Sequence, residues 1–238
     1  MLLFFIRHGD PIYDPDSLTS LGRRQAEAVA HRLARYGIDK VFASSSTRAM
    51  QTAEPTCEIL KKEMTVLDWC HETLAWNQMC ADLPDGRRTW AMRHPEYMRK
   101  FNSDEVRALG LKWYEHPYFA DTTFKEGMER VQRETDAFIA SLGYRHDHDQ
   151  HLYIPENPNE DRIALFAHEG FGAIFLSCLL DIPYPMLSTH VMFTHSSMTV
   201  FEFREVDGIV IPNMLTMSND SHLYMDGLPT KYQNRVYF

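Results

Sequence analysis

The sequence predicts an α/β fold of three layers, helix–sheet–helix, built on a mainly parallel β-sheet. Three observations carry this expectation. The chain starts on a short apolar run, Met1-Leu2-Leu3-Phe4-Phe5-Ile6, that stops abruptly at Arg7-His8-Gly9, as a buried strand does. Strand and helix signals then alternate as β-α-β-α-β through the first third, the pattern of a parallel sheet covered on both faces. A further strand-to-helix junction recurs late, around Ala167-His168.

Each element has its own local reason. Residues 2–6 read as a fully buried strand. Thr19 is placed to cap a helix that runs to about Tyr36, with Leu21, Ala26, Val29, Ala30 and Leu33 on its apolar face and Gly37 as its stop. Residues 40–43 form a second short strand. Thr47 opens a helix through Met50, Ala53, Cys57 and Leu60 to about Lys62, and residues 65–68 form a third strand. From about 75 to 125 the rhythm is lost. This stretch is rich in Trp, Met, Tyr and Arg (Trp76, Trp90, Met92, Arg93, Trp113, Tyr114, Tyr118) and is punctuated by Pro84, Pro95 and Pro117. It reads as an irregular, partly helical insertion capping the carboxyl ends of the strands, its aromatics serving as core and lid packing. A helix returns at about 125–142, with Met128, Val131, Thr135, Phe138 and Ile139 on one side. The polar stretch 145–161 reads as a surface loop, 162–167 as a strand and 170–180 as a helix. Residues 200–204 and 209–212, around Asp207-Gly208, read as a late hairpin. No repeat, low-complexity tract or linker divides the chain. The expectation is one domain over 1–238 with its cap insertion at about 75–125.

Composition narrows the partners. With 238 residues, 44% of them hydrophobic, the chain can bury a sizeable core. A net charge of −9 argues against nucleic acid or an anionic membrane surface, either of which needs a cationic face. The four cysteines (Cys57, Cys70, Cys80, Cys178) are scattered and form no CxxC pair, which suits reduced thiols in the cytoplasm. The apolar start is six residues long and lacks a basic leader, so it reads as a strand and not as a secretory signal. No stretch approaches the length needed to span a bilayer. A soluble, cytoplasmic protein is expected, with its oligomeric state left open.

The junction at Arg7-His8-Gly9 has the layout of a phosphoryl-transfer site. Ligands of open α/β sheets bind at the carboxyl ends of the strands. Glycine there lets backbone N–H groups approach an anion, Arg offers a planar fork to phosphate oxygens, and a neutral imidazole can attack phosphorus. His8 is therefore the candidate nucleophile. Neighbouring cations disfavour its imidazolium, and a hydrogen bond from its other ring nitrogen, to a backbone carbonyl for example, would fix the tautomer. Arg48 lies in the opening turn of a helix, an awkward place for a cation beside the helix dipole unless an anion is its partner. Arg7 and Arg48 are the candidate phosphate clamp, with Gly9 beside them.

Three further segments extend the pattern: Leu18-Thr19-Ser20-Leu21-Gly22-Arg23-Arg24-Gln25-Ala26, then Ser44-Ser45-Ser46-Thr47-Arg48-Ala49-Met50-Gln51-Thr52-Ala53, and later Phe166-Ala167-His168-Glu169-Gly170. Together with Arg7-His8-Gly9 and in this order, they resemble the histidine phosphatase superfamily, in its phosphoglycerate-mutase-like branch. The resemblance implies a phosphoglycerate-mutase-like fold and a phosphohistidine intermediate on His8. It also implies that His168 is the second pocket histidine, donating to the phosphoryl group, and that neither metal nor organic cofactor is needed. In the family a glutamate after the third strand is the acid for the leaving group. Here that position falls to Glu72, with Trp76 as the accompanying aromatic, although the leucine and glycine usual around it are missing. Glu169 and Asp10 are its rivals. Asp10-Pro11-Ile12-Tyr13-Asp14 also departs from the family's small polar pair followed by Asn.

The run His146-Asp147-His148-Asp149-Gln150-His151 invites a metal reading, but alternating His and Asp in a polar loop also describes a flexible exposed segment. No metal is assigned to it. His190, His195 and His222 have no partner that the sequence identifies. The leading expectation is a phosphomonoesterase acting on a small phosphorylated substrate. A phosphoglycerate-mutase-type phosphoryl transferase, returning the group to a sugar or glycerate acceptor, is the alternative within the same chemistry. A catalytically silent phospho-ligand binding protein is the alternative from another class.

Overall fold

The computed structural model describes residues 1–230 and Tyr232. Strand β1, Leu2–Arg7, carries the alternation on which the layers depend. Leu3 and Phe5 face one side, Phe4 and Ile6 the other, and all four are fully buried. Leu3 and Phe5 join the larger core cluster, and Phe4 and Ile6 join a second cluster on the opposite face. Each such side chain contributes about 1.5–3 kcal/mol by leaving water.

Helix α1, Ser20–Tyr36, begins where Thr19 accepts a hydrogen bond from the Gly22 N–H and ends at Gly37, whose φ of 74° is the left-handed conformation glycine tolerates. Strand β2 (Lys40–Ser44), helix α2 (Thr47–Leu60) and strand β3 (Met64–Leu67) follow. Helix α3 is Glu72–Met79 and helix α4 is Phe124–Ser141; between them lie short helices and a small two-stranded ladder, Cys80–Asp82 with Arg88–Trp90. Strand β4 (Arg162–Ala167) leads into helix α5 (Glu169–Leu180), and strands β5 (Met198–Glu202) and β6 (Asn213–Asn219) close the order.

The six strands form one sheet in the order β6-β5-β1-β4-β2-β3. The pairings β1–β4, β4–β2 and β2–β3 are parallel, while β5 runs antiparallel to both β1 and β6. The residues of α1 and α2 pack with Phe4 and Ile6, and those of α4 and α5 with Leu3 and Phe5. The observed fold is thus the three-layer α/β arrangement with a mainly parallel sheet.

Two expectations need correction. Residues 145–161 are not a plain surface loop: Tyr144–Asp147 and Leu152–Pro155 pair antiparallel, with Tyr144, His146 and Tyr153 buried. The alternation of buried and exposed positions there is too short to stand out among charged residues. The late hairpin is also differently composed. Its tight turn at Asp207-Gly208 is present, both residues having positive φ, but it joins Glu205–Val206 to Ile209–Val210, and Val210 pairs with Tyr153. Residues 198–202 instead enter the central sheet beside β1.

Candidate active site

Register builds the site. In the parallel pair β1–β4, Arg7 stands opposite Ala167, so His8 and His168 leave the sheet side by side, and the His8 N–H donates to the Ala167 carbonyl at 2.9 Å. Their rings lie 5.2 Å apart, centroid to centroid. In the pair β4–β2, Phe166 stands opposite Ala43, which brings the loop after β2, and with it Arg48, to His168. Arg7, His8, Arg48 and Glu72 line one cavity of about 580 Å³ together with Tyr13, Thr73, Trp76, Trp90, Arg93 and Glu169.

His8 is buried, and its Nδ1 lies 2.7 Å from the Gly9 carbonyl. A carbonyl only accepts, so the proton sits on Nδ1 and Nε2 keeps its lone pair. Burial, followed by the charges around His168, Arg7 and Arg48, holds the imidazole well below its ordinary pKa, so the ring is neutral at physiological pH. His168 is fully buried. It accepts at Nδ1 from Arg48 Nη2 (3.2 Å), and its Nε2–H donates to the Ser44 hydroxyl at 2.8 Å. Burial and the Arg48 charge push its pKa well down as well.

The two arginines are held by neighbouring side chains and a backbone carbonyl. Arg7 donates from Nη1 to the Phe193 carbonyl and pairs with Glu169 at 2.9 Å, and its Nη2 lies 3.0 Å from His195 Nε2. Arg48 donates from Nη1 to Asp16 at 2.8 Å. The same Asp16 accepts from the Thr47 N–H, capping α2 from a distant segment where Ser46 at the helix start makes no side-chain cap. The Nε–H groups of Arg7 and Arg48 are both buried without a partner. Both side chains line the cavity, where guanidinium groups are suited to bind an anion.

Glu72 accepts from the N–H groups of Gly170 and Phe171, both at 3.0 Å, so it ties α3 to the start of α5. Its burial outweighs these two bonds and the nearby arginine charges and pushes the carboxyl pKa up to about 7. The rivals have other partners. Glu169 bridges Arg7 and Arg93, and Asp10 accepts from the Thr19 hydroxyl at 2.8 Å. Gly9 does not offer its amide to the cavity: its N–H donates to Thr52 Oγ1 at 3.0 Å. What Gly9 provides is closeness, since a Cβ there would stand 2.6 Å from the Gly22 carbonyl oxygen.

Sequence reasoning missed Asp16 altogether and missed the roles of His195, Arg93 and Glu169, which it had named as a histidine without a partner, a cap residue and a rival acid. His195, whose ring centroid is 5.6 Å from that of His8, lies in the loop before β5 and reaches the site because β5 pairs with β1. Asp16 pairs with Arg48, and Glu169 pairs with both Arg7 and Arg93; no local motif marks such pairings. The Asp10 loop is set by close contact as well, because a Cβ on Gly22 would stand 2.2 Å from the Asp10 carbonyl oxygen. Replacing Gly22 by Ala should therefore cost about 1–3 kcal/mol through overpacking. A thermal unfolding midpoint equal to that of the unaltered protein would show that the loop moves freely and does not hold the site.

The profile of the histidine phosphatase superfamily, branch 1, matches residues 3–211. The chain belongs to that superfamily. No curated protein matches its sequence. Among solved structures it is similar to phosphoserine phosphatase from Entamoeba histolytica in complex with phosphoserine, at a TM-score of 0.57 and 18% identity over 93% of this chain and 98% of that one. It is also similar to mycobacterial glucosyl-3-phosphoglycerate phosphatase (TM-score 0.57, 19% identity, 91% and 98% covered). A third is the alpha-ribazole phosphatase from Shigella flexneri (TM-score 0.55, 20% identity, 92% and 97% covered). At such identities the likeness speaks for the fold, and the chemistry rests on the residues themselves. Among the described residues no helix is long and apolar enough to cross a membrane.

Proposed function

We propose that the chain is a phosphomonoesterase that hydrolyses a small phosphorylated substrate through a phosphohistidine on His8. The observation that carries this reading is a buried, neutral imidazole with its Nε2 lone pair unengaged, lining one cavity with the guanidinium groups of Arg7 and Arg48 and the carboxyl of Glu72. The family and the phosphatases of similar fold support it. The whole chain acts as one histidine-phosphatase-like domain, with residues 75–125 as its cap. Trp76, Trp90 and Arg93 of that segment line the cavity.

The reaction follows from the geometry. Arg7 and Arg48 draw the equatorial oxygens of the phosphoryl group, and His8 Nε2 attacks phosphorus in line with the ester oxygen. As that P–O bond breaks, Glu72 gives its proton to the leaving oxygen. Its carboxylate then takes a proton from water, whose oxygen attacks phosphorus as the P–N bond breaks, and inorganic phosphate and free His8 are restored. His168 holds Arg48 in the resting site; to donate to the bound phosphoryl group, as the family resemblance implies, its Nε2–H must leave the Ser44 hydroxyl. The four free cysteines suit a cytoplasmic protein.

Incubation with a panel of phosphate esters in EDTA, scoring phosphate release and isomer formation separately, tests this. Phosphate release is expected, and it should survive chelation because guanidinium groups supply the positive charge. Isomer formation without release would make the protein a mutase. Ligand binding without either product would make it a silent binding protein.

A further inference from the structure

A second cluster of titratable side chains lies at the far end of α5. His168 precedes the first residue of that helix, and Asp181 is its left-handed C-cap, 12 helical residues on, so the two ends are about 18 Å apart. Around Asp181 gather Asp136 of α4 and three histidines of the hairpin 144–155. His146 Nδ1 lies 2.9 Å from one oxygen of Asp136, and His148 Nε2 lies 2.9 Å from the other. His146 Nε2 lies 3.2 Å from Asp181, which His151 Nδ1 also meets at 2.8 Å. The run read from sequence as a flexible exposed segment is thus an ordered turn with its imidazoles gathered.

We propose that Asp136, His146 and His148 form a binding site for a divalent transition-metal cation of zinc type, separate from the phosphoryl-transfer site. One ligand atom from each of the three lies within 4.8 Å of the others. In a tetrahedral zinc site, with metal–ligand bonds of about 2.0–2.1 Å, neighbouring ligand atoms are about 3.3 Å apart. The two 2.9 Å separations are hydrogen bonds to the two oxygens of Asp136 in turn, so an ion displaces the bridging protons and draws the three ligand atoms together from within 4.8 Å. His146 is built as metal-bound histidines are: one ring nitrogen faces the shared point, and the other is held by a carboxylate, Asp181, that fixes the ring. The ring is further clamped by stacking on Tyr153, with centroids 4.2 Å apart and planes at 13°. Two imidazoles favour zinc, cobalt or nickel over magnesium or calcium, which prefer all-oxygen sites. Two carboxylates match the charge of a divalent ion. An adjoining cavity of about 530 Å³, lined by Asp136, His148, His151 and Asp181, gives the ion a way in and leaves room for a water as fourth ligand.

The ion joins α4 to the hairpin, and Asp181 at the end of α5 is tied in through His146. Its expected effect is on stability, through preferential binding to the folded chain, and phosphate release does not depend on it. The test is titration of the full chain, freed of metal by EDTA and dialysed, with Zn²⁺ by calorimetry and with Co²⁺ by visible absorption. One ion per chain is expected, with a raised unfolding midpoint. His148→Ala and Asp136→Asn should weaken binding at least about 10-fold, and Asp181→Asn by about 10–100-fold. His148 is half-exposed, so its replacement should leave phosphate release, and hence the fold, intact. His8→Ala should leave metal binding unchanged. Absence of binding to the unaltered chain would overturn the proposal. So would binding that survives both His148→Ala and Asp136→Asn, or binding lost in His8→Ala, which would move the ion to the catalytic histidines.

Discussion

Replacing His8 by Ala should abolish turnover and any acid-labile, base-stable phosphoenzyme while leaving the unfolding midpoint close to that of the unaltered protein. This is the largest effect expected of any single substitution. The covalent step splits hydrolysis into two easier ones, and neither imidazole lying beside that of His8 is poised to replace it. His168 has both ring nitrogens engaged, by Arg48 and Ser44, and His195 Nε2 faces Arg7. The fold should tolerate the change because the side chain of His8 makes one hydrogen bond, to the adjacent Gly9 carbonyl, and the strand before it is held by backbone pairing on both sides. A labelled phosphoenzyme in His8→Ala would place the nucleophile elsewhere, with His168 the first residue to examine.

The second large effect belongs to Glu72→Gln, which should slow esters with poor leaving groups by about 10²–10⁴-fold and activated aryl esters far less. An alkoxide needs a proton in the transition state, whereas p-nitrophenolate hardly does. The pH profile gives an independent check, and its sign follows from the two shifts. His8 works unprotonated, and since its pKa is pushed well below the ordinary value it stays competent through neutral pH and below. Glu72 works protonated, and with its pKa pushed up to about 7 it loses that form as pH rises through neutrality. Turnover of alkyl phosphates should therefore decline above about pH 7, while turnover of aryl phosphates holds. In Glu72→Gln the alkaline decline should vanish. Equal slowing of both ester classes would instead assign Glu72 a binding or structural role, consistent with its bonds to the Gly170 and Phe171 amides at the start of α5.

Both predictions depend on features that differ in how openly the sequence displays them. The alternation from Leu2 to Ile6, the Thr19 cap, the Gly37 stop, the strand end at His8 and the strand-to-helix junctions at Arg48 and His168 could be read directly. Each is a local matter, decided by a few neighbouring residues through side-chain periodicity, capping or backbone conformation. Because parallel strands place their carboxyl ends along one edge, those junctions also implied which charged side chains could meet. The order Arg7-His8-Gly9, Thr47-Arg48-Ala49, Phe166-Ala167-His168 thus contained most of the candidate site.

The partners of those side chains could not be read in this way. Asp16 on Arg48, Glu169 and His195 on Arg7, and Thr52 on the Gly9 amide are separated from their partners by 32, 162, 188 and 43 positions, spacings that correspond to no periodicity. Strand register brings them together, and register is set by the packing of two whole faces of the sheet. The same holds for the hairpin at 144–155, where burial of His146 against Tyr153, Asp136 and Asp181 appears only once α4 and α5 are in place. The protonation states follow suit. Composition supplied the imidazole of His8 and the carboxyl of Glu72, but burial in the assembled site lowers the one pKa and raises the other. The sequence by itself determined the layers, the junctions and the chemical groups available. The tertiary structure decided which groups are desolvated and which are paired, because desolvation and pairing belong to the packed environment and not to any residue alone.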